Sequence, residues 1–253
     1  MSDQPRHLAL IMDGNGRWAQ ARGKNRFWGH KKGAEVAQNI VEHCVQNTEI
    51  EYLTLYAFST ENWSRPKEEI DFLFQLLDTH LEKKSQILID NNVVLKTIGD
   101  LRPLPHSLKK RIDKMKLATK NNTGLVLILG LNYGGRQEVI EATNKYIQEN
   151  PGKPISEDLM SFYLKTDELP HPDFIIRTSG EMRLSNFMIW QAAYSELYFT
   201  DTLWPDFKFG ELEKALEHFA KRQRRFGSLV TEDTKGSDLS NQEDSKEPKH
   251  ANP

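Results

Sequence analysis

Six short, almost unbroken apolar runs punctuate the chain, and longer segments between them carry apolar residues at helical intervals. This alternation is the strongest constraint on what the sequence can fold into. The runs are 7–12, 52–58, 93–98, 125–133, 173–177 and 197–200. They are rich in β-branched or aromatic residues and lack polar alternation, which is how strands buried on both faces read. The helical segments are 33–47, 67–91, 107–119, 136–149, 156–165 and 209–226; in the first, Val36, Ala37, Ile40, Val41 and Cys44 share one face. Strand–helix alternation of this kind predicts an α/β fold, with a mainly parallel six-stranded sheet flanked by helices.

Bulk properties narrow the class further. The 253 residues are 38% hydrophobic and 28% charged, with a formal net charge of −2. That is enough apolar material for one sizeable globular domain. There is no global basic field, so nucleic acid is not an expected partner. Any anion site must be a local cluster. The domain is expected to span 1–228. Residues 229–253 are polar and of mixed charge, with almost nothing to bury, and are expected to form a disordered tail. The single cysteine, Cys44, reads as a buried thiol and fits a reducing cytoplasm. The N-terminus lacks a basic region followed by a long apolar run, and no stretch approaches the roughly 20 apolar residues that span a bilayer. A cytoplasmic protein, at most peripheral to a membrane, is expected.

In open parallel sheets, ligands bind beyond the carboxyl ends of the strands. The unusual residues of this chain collect at those ends: Asp13-Gly14-Asn15-Gly16-Arg17-Trp18 after the first run, Ser59-Thr60-Glu61-Asn62-Trp63-Ser64-Arg65 after the second, and Arg177-Thr178-Ser179-Gly180-Glu181 after the fifth. The first is a strand followed by a Gly-x-Gly turn, where backbone can approach an anion closely. It also matches the dinucleotide pattern G-x-G-x-x-A, so a nucleotide-binding oxidoreductase is one reading. Three features disfavour it. Asp13 would repel a pyrophosphate unless a metal lay between, Arg17 and Trp18 are bulky at the closest approach, and the acid at the expected distance, Glu35, lies on a helix. A carboxylate beside a phosphate cradle suits Mg²⁺, which takes few carboxylates together with phosphates and waters. Plain roles remain open for each part, a simple turn for the glycines and a helix N-cap for Asp13.

A basic stretch follows: Arg22, Lys24, Arg26, His30, Lys31 and Lys32. The lysines read as a solvated face. Arg26 and His30 are the better candidates for diphosphate oxygens, through forked guanidinium bonds and a neutral-pH imidazole donor. None of the eight histidines forms a pair with zinc-ligand spacing. There is no Asp-Asp pair.

The segments HLALIMDGNGRWA, GHKKGAE, YLTLYAFSTENWSRP, LNYGGR, DFIIRTSGE, RLSNFMIWQAAYSELYFTDTLWPDF and RRFG resemble the undecaprenyl diphosphate synthase family of cis-prenyltransferases, from about His7 to Gly227. The resemblance implies a homodimeric, Mg²⁺-dependent enzyme that extends farnesyl diphosphate with isopentenyl diphosphate. Asp13 would be the catalytic, metal-binding aspartate. Gly14, Asn15, Gly16, Arg17, Trp18, Arg26 and His30 would form the allylic-diphosphate site. Ser59, Thr60, Glu61, Asn62, Trp63 and Arg65 match the motif that joins substrate positioning to proton removal, with Asn62 at the proton-acceptor position. Arg177, Arg183, Leu184 and Ser185 would hold isopentenyl diphosphate. Glu196 would be a second metal ligand, placed across the dimer interface, and Arg225 and Gly227 would reach a neighbouring subunit's site. The family also contains non-catalytic partner subunits; that reading predicts loss of the metal aspartate or of the RTSGE arginine, and both are present. Ser179 stands where many members have Gly. Gly130 and Ile128 stand where Ala and Asn occur in relatives, on a strand near the expected product tunnel.

An amide is far too weak a base for ordinary proton abstraction, so Asn62 is expected to orient a water, Ser59 or a phosphate oxygen. The helix after Pro66 carries Ile70, Phe72, Leu73, Phe74, Leu76, Leu77 and Leu81, more than one narrow stripe. Core packing explains such a helix by default; with the resemblance, the surplus apolar face would line a hydrophobic product tunnel.

Overall fold

In the computed structural model, which describes residues 4–222, the six apolar runs become six strands: β1 (His7–Ile11), β2 (Tyr52–Ser59), β3 (Val94–Ile98), β4 (Val126–Tyr133), β5 (Phe174–Arg177) and β6 (Glu196–Phe199). Seven α-helices accompany them among the described residues: α1 (Asn15–Gln20), α2 (Arg26–Asn47), α3 (Lys67–Asp90), α4 (His106–Thr119), α5 (Gly135–Glu149), α6 (Glu157–Tyr163) and α7 (Phe209–Ala220). The strands form one parallel sheet in the order β3-β4-β2-β1-β5-β6.

The unbroken apolar character of β1 follows from its central place. All five of its residues are buried, and they alternate between two cores, as a period of two requires. Leu8 and Leu10 pack with residues of α2, α3, α4 and α7, including Ile40, Phe74, Ile112 and Leu216. Ala9 and Ile11 face the other way, with Ile128, Tyr133 and Phe187. Cys44 is buried in the first core, and burial pushes its thiol up to about 12, as a structural cysteine requires.

Two boundaries differ from those read off periodicity. Helix α2 begins at Arg26, not residue 33, and is capped by Asn25, whose side chain accepts from the Trp28 N–H at 3.0 Å. Its first two turns escaped the apolar pattern because their inner face is glycine. A Cβ on Gly29 would lie 2.0 Å from the Asn15 carbonyl oxygen, and one on Gly33 2.0 Å from Asn15 Oδ1. Backbone-close packing of α1 on α2 thus replaces the usual apolar stripe. Helix α7 ends at Ala220, short of the expected 226. The expectations for Arg225, Gly227 and the tail 229–253 lie outside the described residues.

The topology sets the place of a site. From β1 the chain passes to β2 on one side, whereas β5 and β6 continue on the other. The connections therefore diverge between β1 and β5, and a crevice opens beyond their carboxyl ends. No helix among the described residues is long and apolar enough to cross a membrane.

Candidate functional site

Asp13 and Thr178 follow β1 and β5 and lock the two strand ends together. The Asp13 N–H donates to Thr178 Oγ1 at 2.9 Å, and that hydroxyl donates to the Asp13 carbonyl at 2.7 Å. The Asp13 side chain does not cap α1, whose N-cap is Gly14. Instead Oδ1 accepts from the Gly14 N–H at 2.6 Å, and Oδ2 accepts from Arg177 Nη2 at 3.0 Å. Burial alone would raise the Asp13 carboxyl, but the Arg177 hydrogen bond and charge, helped by the Gly14 N–H and the Ser179 hydroxyl, hold it below the ordinary carboxylate range. Asp13 is therefore an anion at neutral pH, with its side chain 36% exposed.

Arg177 is buried, only 5% exposed, and acts as a strut. Its Nη1 donates to the Arg183 carbonyl and to Ser185 Oγ at 2.6 Å, so it shapes the loop that follows β5 while gripping Asp13. Its Nε, buried, has no partner among the described residues, and neither has Asn15 Oδ1. Arg183 itself points outward and pairs with Glu181. Leu184 packs against the Ala9–Ile11 face of the sheet.

A second carboxylate, Glu69 in the first turn of α3, organises the other cations. Its Oε1 accepts from Arg65 Nη1 at 2.9 Å and from the His30 Nε2–H at 3.0 Å, and Arg26 forks onto both oxygens at 3.2 and 3.3 Å. Burial opposes ionisation of Glu69, but the His30 and Arg26 bonds and the Arg65 charge outweigh it. Burial also lowers the pKa of His30, so the imidazole is a neutral donor at pH 7. Sequence reasoning named Arg26, His30 and Arg65 but not the acid that gathers them. A signal was there: Glu69 precedes Leu73 by four residues, on the apolar face of α3. Gly16 abuts this cluster, its missing Cβ 2.9 Å from the Arg26 guanidinium carbon.

The segment after β2 folds into a short 3-10 helix, Thr60–Ser64, held by a reciprocal cap: the Ser59 N–H donates to Asn62 Oδ1 at 3.1 Å, and the Ser59 side chain accepts from the Asn62 backbone. Trp63 stands edge-on to Phe58 and donates Nε1–H to Asn132 Oδ1 at 2.8 Å. Glu61 accepts from Asn186 Nδ2 at 2.9 Å. Asn186 was also missed. Besides Glu61 it binds the Gly135 N–H through its carbonyl (2.7 Å) and the Arg136 N–H through Oδ1 (2.8 Å). One asparagine thereby ties together the loops that follow β2, β4 and β5.

Two expected site residues are engaged in packing or pairing within this chain. Trp18 is buried, stacked on Trp28 at 4.5 Å with the Arg22 guanidinium 4.2 Å from its ring centre, so it braces α1 against α2. Glu196 opens β6, paired in register with Phe174, three residues before Arg177, and it ion-pairs with Arg222. At 3.3 Å per residue it lies about 10 Å below the carboxyl ends of the strands, on the outer strand. Within one chain Glu196 does not join Asp13. Glu35, the acid of the dinucleotide reading, pairs with Lys32 on α2 rather than closing a strand.

Beside Asn15 and His30 begins an apolar cavity of ≈ 230 Å³, walled by α2 and α3 over β2 and β4. Leu73, Leu77, Leu81 and Leu88 follow one another along it. Over those residues α3 runs about 22 Å, at 1.5 Å per residue. An ionic crevice therefore opens directly onto a long greasy wall.

Among the described residues no group of three or more His, Cys, Asp or Glu could hold a metal ion. A cation that demands an all-protein cage does not fit. One that takes a single ionised carboxylate and completes its shell with phosphate oxygens and water, as Mg²⁺ does, fits Asp13.

Known proteins share this framework. The Prenyltransf family model, undecaprenyl diphosphate synthase, matches residues 11–227. An isoprenyl transferase of Clostridium tetani is 50% identical over 230 residues, covering 89% of this chain and 90% of the relative; one of Wolinella succinogenes is 48% identical over 224 residues, covering 88% and 97%. The crystal structure of lavandulyl diphosphate synthase from Lavandula x intermedia, in complex with dimethylallyl diphosphate, superposes with a TM-score of 0.85 at 35% identity, covering 89% of this chain and 99% of that one. A probable undecaprenyl diphosphate synthase from Campylobacter jejuni gives 0.75 at 36% identity, covering 90% and 100%. The parallel six-stranded sheet, the strand-end crevice and these likenesses together make the chain a member of the undecaprenyl diphosphate synthase family of isoprenyl transferases, enzymes that transfer prenyl groups.

Proposed function

We propose that the chain condenses isopentenyl diphosphate sequentially onto an allylic diphosphate, farnesyl diphosphate, to give a long-chain polyprenyl diphosphate. The product we assign is ditrans,polycis-undecaprenyl diphosphate, the lipid-carrier precursor for cell-wall polysaccharides. The observation that carries this reading is the ionised Asp13–Arg177 pair beside an apolar cavity whose lining includes Met12 and Asn15, the residues on either side of the Asp13-Gly14 turn. A polar head that ionises and a hydrocarbon tail that lengthens need those two environments side by side.

Bottom-up, condensation has three requirements. Pyrophosphate must leave, and Arg17, Arg26 and His30 are the groups that would bind it around the glycine turn. Asp13 would hold Mg²⁺, which when bound neutralises charge on the departing diphosphate. The isopentenyl unit must be held with its double bond towards the allylic carbon; Arg177, Arg183 and Ser185, with Leu184 against the sheet, would anchor its diphosphate. Its C2 must lose a proton. Asn62 Oδ1 is already bonded to the Ser59 N–H, which fits an orienting role rather than that of a base. Ser59, Thr60, Glu61, Trp63 and Arg65 would frame this step. The growing chain would pass along Leu73, Leu77 and Leu81, making the cavity the product tunnel.

We also propose a homodimer in which Glu196 of a second copy supplies a further metal ligand, a cytoplasmic location, and peripheral contact with a membrane at product release. Incubation with farnesyl diphosphate, isopentenyl diphosphate and Mg²⁺, followed by chromatography of the products, tests the reading. Chain elongation that needs all three components is expected; unaltered farnesyl diphosphate would overturn it.

A further inference from the structure

Ser179 holds a backbone conformation that serine rarely takes. Its φ is +81°, and the next residue, Gly180, is also left-handed at +76°. A side chain in this region costs energy and persists only where surrounding structure over-determines it. Two backbone bonds do so here: the Ser179 N–H donates to the Thr202 carbonyl at 2.9 Å, and the Gly180 N–H to the Thr200 carbonyl at 2.8 Å. Space is provided from the opposite side. Gly14, itself at φ +104°, would carry a Cβ only 3.0 Å from that of Ser179. The strand-end turns after β1 and β5 thus meet back to back, with one side chain admitted between them.

That side chain binds Arg17. Arg17 Nη2 donates to Ser179 Oγ at 2.5 Å, and Arg17 Nη1 to the Ser179 carbonyl at 3.1 Å. One residue takes both ends of the guanidinium fork and fixes its plane. Glu181 and Asp13 stand at 3.7 Å, as charges rather than as close hydrogen-bond partners. A guanidinium has five N–H donors, and the two spent on Ser179 leave three for an anion.

We propose that Ser179 is a positioning residue: it latches Arg17 across the crevice so that the guanidinium meets the allylic diphosphate already oriented beside Asp13. The latch rests on the prenyltransferase reading for the identity of that diphosphate, and on the geometry alone for the orientation of Arg17. Preorganised donors bind without the entropic cost of ordering a long side chain.

Two variants of the full chain separate this role from a merely structural one. Ser179→Ala removes the hydroxyl and keeps the strained backbone; Ser179→Gly removes the hydroxyl and relieves the strain. With farnesyl diphosphate varied at saturating isopentenyl diphosphate, both variants are expected to raise KM for the allylic substrate about three- to tenfold, the net effect of one ordinary hydrogen bond, because the lost bond orients Arg17 and does not itself touch the substrate. KM for isopentenyl diphosphate should stay within about twofold. Ser179→Gly should melt at or above the parent's temperature and still bind worse. Unchanged allylic KM in both variants overturns the latch, as does an equal rise for both substrates. Calorimetry with inorganic pyrophosphate and Mg²⁺ keeps the two readings apart. If the parent fails to elongate farnesyl diphosphate yet Ser179→Gly weakens pyrophosphate binding severalfold, the latch stands and the assigned reaction falls. If pyrophosphate binds both equally, the latch falls.

Discussion

Asp13 and Glu69 are carboxylates in half-buried and buried settings, and each stays ionised because its donors outweigh burial, Arg177 for Asp13 and His30 with Arg26 and Arg65 for Glu69. The consequences of removing them differ. Asp13 lies where the metal would sit, so Asp13→Ala should cost turnover by about a hundredfold or more, while circular dichroism still reports a folded chain. Turnover within a few-fold of the parent would take Asp13 out of the mechanism. Glu69 touches no expected substrate; it holds Arg26, His30 and Arg65 in place. Glu69→Ala should therefore raise KM for the allylic diphosphate about tenfold, together with a lower melting temperature, since three groups lose their common partner. A fall in stability with an unmoved KM would assign Glu69 to folding alone.

Helix α3 is the element on which product length is expected to depend. Its apolar residues serve two neighbours: Ile70 packs in the core, Phe74 and Leu81 belong to the core and line the cavity as well, and Leu73 and Leu77, only partly buried, border the cavity. Filling that space should shorten the chain that fits. Leu77→Trp is expected to shift the products towards shorter polyprenyl diphosphates on reversed-phase chromatography, with the first condensation little affected. An unchanged length distribution would return the cavity to ordinary core packing. Helix α2 supplies the facing wall, and its register is set by Gly29 and Gly33 against Asn15. The same contact that seats α1 beside the crevice therefore fixes the width of the cavity mouth.

For the molecule as a whole, acid stability has an identifiable source. His7 at the start of β1 is fully buried, with Nδ1 2.7 Å from the Pro170 carbonyl and Nε2 2.8 Å from Thr54 Oγ1. Burial lowers its pKa from 6.5 to about 4. In the native state His7 stays neutral down to that pH, whereas the unfolded chain takes up a proton near 6.5. The unfolded state binds more protons across this interval, so stability falls as pH is lowered from 6.5 to 4, by on the order of 3 kcal/mol. His30 shifts in the same direction. Urea midpoints measured between pH 7 and 4.5 should decline, and His7→Gln should flatten part of that slope. A slope identical in the variant would place its origin elsewhere.

What the sequence determined by itself was local. Continuous apolar runs made strands, buried on both faces at β1 and β5 and only partly buried at the edge strands β3 and β6, and the three polar turns at their carboxyl ends marked the crevice. Asp13, Arg26, His30, Arg65 and Arg177 were legible because rare residues stood at strand and helix ends. Tertiary structure alone decided who meets whom. Passage of the chain from β4 across to β5 puts Arg177 beside Asp13, 164 residues away. The packing of α2 on α3 gives Arg26 and His30 a common acid, and the fold places Glu196 at the far end of its strand. Periodicity reports only which face a residue turns inward. Pairing across such separations depends on the order of strands in the sheet, and the left-handed backbone of Ser179 on hydrogen bonds to a strand end more than twenty residues further along.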